Sequence, residues 1–124
     1  KLNASKKCKS IISKKQEISY ADFSKLNLKI GTIVEAKKIK KSKKLLELKV
    51  DIKNEIRSIV SGIAKSYDPS EIIGNKVVVL INLESKVIAG VQSQGMILLT
   101  KDENDQDIFI SPDNISINNG LNIS

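Results

Sequence analysis

The chain has 124 residues, 40% of them hydrophobic, and a formal net charge of +7, which fits one domain with a real core and excludes a disordered composition. The absence of histidine and the lone Cys8 remove Ser-His and zinc chemistry and any internal disulfide, so neither an enzyme nor a cofactor or metal site is expected. No apolar run approaches the ~18 residues of a membrane span, and the basic start lacks the apolar stretch of a signal peptide, so a cytoplasmic protein is the simplest expectation.

Residues 1–19 read as a lysine-rich linker or arm, and residues 20–124 as the domain. Charge is divided unevenly along the chain. Residues 1–53 carry a net +11, and residues 54–124 a net −4. Such a split points to a surface that meets a polyanion. In "YADFSKLN" (20–27), Asp22 is placed to cap a short helix that buries Phe23 and Leu26.

From Leu28 the pattern becomes that of strands. "LKIGTIVEAKK" (28–38) puts Ile30, Thr32, Val34 and Ala36 on one face and Ile33, Glu35 and Lys37 on the other, with a bulge or coil at Gly31. "KLLELKVDI" (44–52) alternates, with Leu46, Leu48, Val50 and Ile52 inward and Glu47, Lys49 and Asp51 outward. A turn at Lys53-Asn54 returns the chain as "IRSIVSG" (56–62), making a hairpin. "YDPSEIIG" (67–74) reads as a short helix with Asp68 as cap, Pro69 in the first turn and Gly74 as terminator.

"KVVVLINL" (76–83) is a continuous apolar run, typical of a strand buried on both faces. A loop, then "MILLT" (96–100), an acidic turn and "IFISP" (108–112) complete the chain before a flanking C-terminal segment. Five main strands with a short helix between the third and fourth make the expected fold all-β: an OB-fold, a partly open five-stranded Greek-key barrel.

The densest chemical signal is "KKIKKSKK" (37–44), six lysines within eight residues: Lys37, Lys38, Lys40, Lys41, Lys43 and Lys44. It joins the first two strands, where an OB barrel borders its nucleic-acid face. Together with outward Lys49 and Arg57, these charges can engage phosphates with little base discrimination. Read alone, the same run is an ordinary solvated loop. The aromatic residues are only Tyr20, Phe23, Tyr67 and Phe109, and none lies on an outward strand position. A single-strand binder needs such stacking platforms, so a folded RNA is the better expected partner.

"GVQSQGM" (90–96) leaves a question open. Gly95 serves a turn, but a turn does not need Ser93 and Gln94 together. Small polar side chains there can bond phosphate or ribose, and Met96 can pack on an irregular surface. By pattern alone, Met96 is the first core residue of the next strand.

The segments "DFSKLNLKIGTIVEA", "KLLELKVDI", "IVSGI", "IIGNKVVVLINL", "GVQSQGM" and "SPDNISINNG" resemble, in order and spacing, the tRNA-binding OB domain family. The resemblance covers most of residues 20–124. It implies a non-catalytic module that binds tRNA with weak sequence preference and needs no cofactor, in the form appended to the C-terminus of bacterial methionyl-tRNA synthetases. It implies RNA-contacting roles for Lys29, Ser93 and Met96, so that Met96 moves to the RNA-facing edge. Members also occur as free dimers, which implies a homodimer, with Ile115, Ile117, Leu121 and Ile123 available for an interface or for the core. A related export-chaperone branch shares the barrel and gives the alternative function.

The "IKKSKKL" loop (39–45) is more basic than in relatives, whereas "SKVIAG" (85–90) keeps only Lys86 where relatives carry a basic cluster. Charge is therefore expected to have moved from one loop to the other. The absence of an initiating methionine is read as the mark of a fragment of a longer chain.

Overall fold

The computed structural model describes residues 15–124, so the arm expected over residues 1–19 lies largely outside them. The first element is a single helical turn, α1 (Tyr20–Phe23). Its cap is Ser19, whose hydroxyl accepts the Asp22 N–H at 3.1 Å, not Asp22 as the sequence suggests. Asp22 falls inside the turn, where its own backbone N–H is the donor being capped. Phe23 and Leu26 stay exposed, because one turn cannot present a full apolar face to the sheet.

Strands β1 (Leu28–Ile39), β2 (Ser42–Asp51) and β3 (Ile56–Ser61) form an antiparallel meander. Inward Leu46, Leu48 and Val50 on β2 are fully buried, as the alternation of the sequence requires. On β1 the expected face assignment is corrected. Ile33 pairs with Val50 and Glu35 with Lys49, which leaves Val34 as the extra residue of a β-bulge. The bulge reverses the phase, because one added residue exchanges the two faces. Ile33, 0% exposed, therefore shares the core face with Ala36 and not with Glu35, and Val34 is 37% exposed. Gly31 is not the bulge but a close approach inside the barrel: a Cβ there would lie 2.8 Å from Val50 Cγ1.

Helix α2 (Pro69–Ile72) follows Asp68 as expected. The Glu71 carboxylate accepts the Asp68 N–H at 2.7 Å, and Ile72 seats in the core. Strand β4 (Lys76–Leu80) then pairs with the first half of β1. Val77 and Val79 enter the main core with Ile33, Leu48 and Ile59, while Val78 and Leu80 join Leu28 and Ile30 in a second cluster. This is the two-sided burial expected of an unbroken apolar run. Each such side chain contributes about 1.5–3 kcal/mol of transfer free energy.

Between β4 and the "MILLT" segment the sequence suggests only a loop. The chain instead makes a hairpin, β5 (Lys86–Ile88) and β6 (Val91–Ser93). Ala89 and Gly90 at its tip have φ of 50° and 83°, the twist of a two-residue hairpin turn. "MILLT" itself splits. β7 (Met96–Ile97) pairs with β4, whereas β8 (Leu99–Lys101) pairs with β9 (Asp107–Phe109) in a separate hairpin. That hairpin is anchored by buried Asp107, whose carboxylate accepts the Ser66 hydroxyl at 2.9 Å.

The main sheet runs β3-β2-β1-β4-β7, with β10 (Asn122–Ile123) added to β1. It is an OB-like barrel of antiparallel strands. The C-terminal segment covers the outer face of β1 and β4 through Ile117 and Ile123, while Ile115 and Leu121 remain exposed.

Candidate nucleic-acid interface

The outer edge of β3 carries backbone groups that no strand pairs, and the segment before β7 satisfies them with side chains. The Ser93 hydroxyl accepts the Val60 N–H at 3.0 Å, and the Gln94 side-chain oxygen accepts the Ser58 N–H at 3.3 Å. The Gln94 N–H in turn donates to the Ser58 carbonyl at 2.8 Å. Ser93 and Gln94 occur together because they close the seam between β3 and β7. Ser93 is only 5% exposed, so its hydroxyl faces the barrel seam and not solvent.

Gly95 then turns the chain with φ +145°, in a place where a Cβ would sit 2.8 Å from the Leu80 carbonyl. This turn brings Met96 out. It pairs with Leu80 on β4 but is 43% exposed, so the reading by pattern alone, as a core residue, is corrected. Its side chain lines an open groove with Val60, Leu83, Lys86, Ile88 and Gly95. Sequence reasoning missed the apolar walls of this groove, because the hairpin that supplies Ile88 was read as loop.

The lysines divide into two sets. Lys37 and Lys49 flank Glu47, at 3.7 and 3.5 Å, and the Ser58 hydroxyl donates to the same carboxylate at 3.0 Å. Lys29 donates to the Asn122 side chain at 2.6 Å and thereby ties the C-terminal strand to β1. Lys38, Lys40, Lys41, Lys43 and Lys44 are exposed and make no ion pair among the described residues. Where β1 turns into β2, these five are the charges available to an incoming polyanion. Lys86 is also exposed, opposite Ser93 on the hairpin.

Lys41 reaches across to the hairpin tip: a Cβ at Gly90 would lie 3.4 Å from its ammonium nitrogen. Only Lys40 and Lys41 join β1 to β2, while Lys38, Lys43 and Lys44 lie on the ends of the two strands, so the stretch expected as a loop is a tight hairpin. That hairpin end and the β5–β6 hairpin are therefore neighbours, and the groove of Met96 lies on the flank of the β5–β6 hairpin. Arg57 does not project outward as the strand alternation implies. Its guanidinium folds across the seam to the carbonyls of Ile81 and Gln94.

Glu47 is a site residue that sequence reasoning did not single out. Burial pushes its carboxyl up, but the Ser58 hydroxyl and the Lys37 and Lys49 charges outweigh this and hold it below its ordinary value of 4.5. The folded form thus binds its proton more weakly than the unfolded one. The stabilisation is complete above pH 4.5 and is lost as pH falls through the lower folded value. Glu47→Gln is expected to flatten the decline of stability as pH falls below 4.5, measured by urea denaturation. An unaltered acid limb would show that the three contacts do not favour the charged form.

Comparison with known proteins follows the same lines. Residues 28–120 match the family model described as "Putative tRNA binding domain". The methionine–tRNA ligase of Flavobacterium psychrophilum is 46% identical over 129 aligned positions, covering 100% of this chain and 19% of the ligase. That of Archaeoglobus fulgidus is 53% identical over 87 residues, covering 70% of the chain and 13% of the ligase. The chain thus spans about a fifth or less of the length of these relatives. Among solved structures, a MetRS related protein from Pyrococcus horikoshii superposes with a TM-score of 0.81 at 35% identity, covering 89% of this chain and 100% of that one. The chaperone CsaA from Bacillus anthracis gives 0.78 at 27% identity, covering 88% and 100%. Among the described residues no helix is long and apolar enough to cross a membrane. With the family model matching most of its length, the chain belongs to the tRNA-binding domain family.

Proposed function

We propose that this chain is the tRNA-binding module of a methionine–tRNA ligase, acting in the cytoplasm without catalytic residues of its own. The observation that carries the reading is the set of five exposed lysines, Lys38, Lys40, Lys41, Lys43 and Lys44, without acidic partners among the described residues, beside the groove that exposes Met96. Mobile ammonium groups bind phosphates with little dependence on base sequence. No aromatic residue lies along that groove, which favours the shape and backbone of a folded RNA over stacked single-stranded bases. Tethered to a ligase, such a module raises the effective tRNA concentration at the catalytic site.

Contacts are assigned to these lysines, to Lys86 and to Met96, with Lys37 and Lys49 as charges partly offset by Glu47. Lys29, Ser93 and Gln94 act by holding the surface in shape. Exposed Ile115 and Leu121 on the C-terminal segment support a homodimer through that face.

A competition assay of folded tRNA against an unstructured RNA of equal length tests the reading. Folded tRNA is expected to win at every salt concentration. Equal affinity rejects shape recognition, and binding of unfolded polypeptide with no competition from tRNA supports the chaperone function instead. Light scattering on the same sample reads the dimer.

A further inference from the structure

We propose that Arg57 is a positioning residue for RNA binding and not a phosphate contact, an inference that rests on the tRNA-binding function above. Its guanidinium is committed on two sides. Nη1 donates to the Ile81 carbonyl at 2.6 Å and to the Gln94 carbonyl at 3.2 Å. Nη2 donates to the Glu55 carboxylate at 3.0 Å, which also offsets the charge. The side chain is 20% exposed, and Nε is buried without a partner.

The two carbonyls bracket Met96. Gln94 lies two residues before it, and Ile81 directly follows Leu80, the residue that Met96 pairs with on β4. Between them, Gly95 has a backbone conformation that neighbouring atoms crowd, and the Ser93 hydroxyl donates to its carbonyl at 3.3 Å. Arg57 therefore joins β3 to both chains that carry Met96. A planar fork can reach two carbonyls and a carboxylate together, whereas a lysine ammonium is a point donor on a flexible stem and cannot span them. The role of Arg57 is to hold Met96 at the rim of its groove, where RNA meets it.

The chain has one arginine and one methionine, so the Arg57 Nε–H and the Met96 methyl each give one NMR signal that needs no assignment. The test compares the 124-residue chain with its Arg57→Lys variant. It measures tRNA affinity across salt, the ¹³C-methyl signal of Met96 and, in the wild type, the ¹⁵N guanidinium signal of Arg57.

In the wild type, tRNA is expected to shift the Met96 methyl signal and to leave the Arg57 signal in place. In Arg57→Lys, affinity falls about tenfold at every salt concentration with an unchanged salt slope, and the methyl signal of the free protein moves. A lost phosphate contact lowers the slope by about 0.9 instead, and lysine in its place leaves the slope unchanged with the methyl signal unmoved. A large change of the wild-type Arg57 signal at tRNA saturation, or an unmoved methyl signal in the variant, overturns the proposal and leaves tRNA binding standing. Absence of tRNA binding by the wild type removes the function and this inference with it. The wild-type guanidinium measurement decides the matter even if the variant does not fold.

Discussion

Replacing Lys38, Lys40, Lys41 and Lys43 together by glutamine is expected to lower the slope of log affinity against log salt by up to about 3.6. Each lysine that neutralises a phosphate releases condensed counterions and contributes roughly 0.7–0.9 to that slope. These four side chains are exposed and have no acidic partner among the described residues, so their whole charge faces the solvent. Between 50 and 200 mM salt the variant should lose about two orders of magnitude less affinity than the wild type does. Lys37 and Lys49 provide the internal control, because Glu47 lies within 4 Å of both ammonium groups. Replacing either is expected to change the slope by well under about 0.9. A slope that stays the same in the fourfold variant rejects the basic loop as the phosphate-binding surface.

Ser93→Ala and Met96→Ala, only three residues apart, are expected to act on different properties. Ser93→Ala leaves the Val60 N–H at the β3 edge without its acceptor. An unmet donor in a closed seam costs about 1–3 kcal/mol of stability. Met96→Ala removes a side chain that is 43% exposed, so the stability cost stays below about 1 kcal/mol, as for surface substitutions with little buried area. Its effect falls on tRNA affinity, expected to drop about tenfold, or about 1.4 kcal/mol. Denaturant unfolding and tRNA titration on both variants check the pair. A stability loss above about 2 kcal/mol for Met96→Ala, with affinity intact, identifies Met96 as a core residue after all.

The strands of the meander were legible because one face of each is buried and the other wet. "KLLELKVDI" has to alternate in that environment, and its inward set is the set that the barrel buries. The run "KVVVL" was equally legible, since only a strand covered on both faces tolerates apolar residues without alternation. The resemblance of most of residues 20–124 to a tRNA-binding family also rests on such local segments. The bulge at Val34 was not legible. Nothing in "GTIVEA" marks the residue where β1 stops matching β2, because that is a property of two strands together. The β5–β6 hairpin was missed for a related reason: three-residue strands offer too short a pattern to separate from loop.

The sequence by itself determined the all-β class, the concentration of lysine over residues 37–44 and the absence of histidine chemistry, because composition and period-two patterning are local properties. Tertiary structure decided which charges are free. Glu47 claims Lys37 and Lys49, Asn122 claims Lys29, and two carbonyls claim Arg57, through partners that strand register and barrel closure bring together from distant parts of the chain. It also decided the roles within Ser93-Gln94-Gly95-Met96. Only when β3 and β7 meet does an unpaired strand edge exist for Ser93 and Gln94 to satisfy, and only then does Gly95 turn Met96 outward.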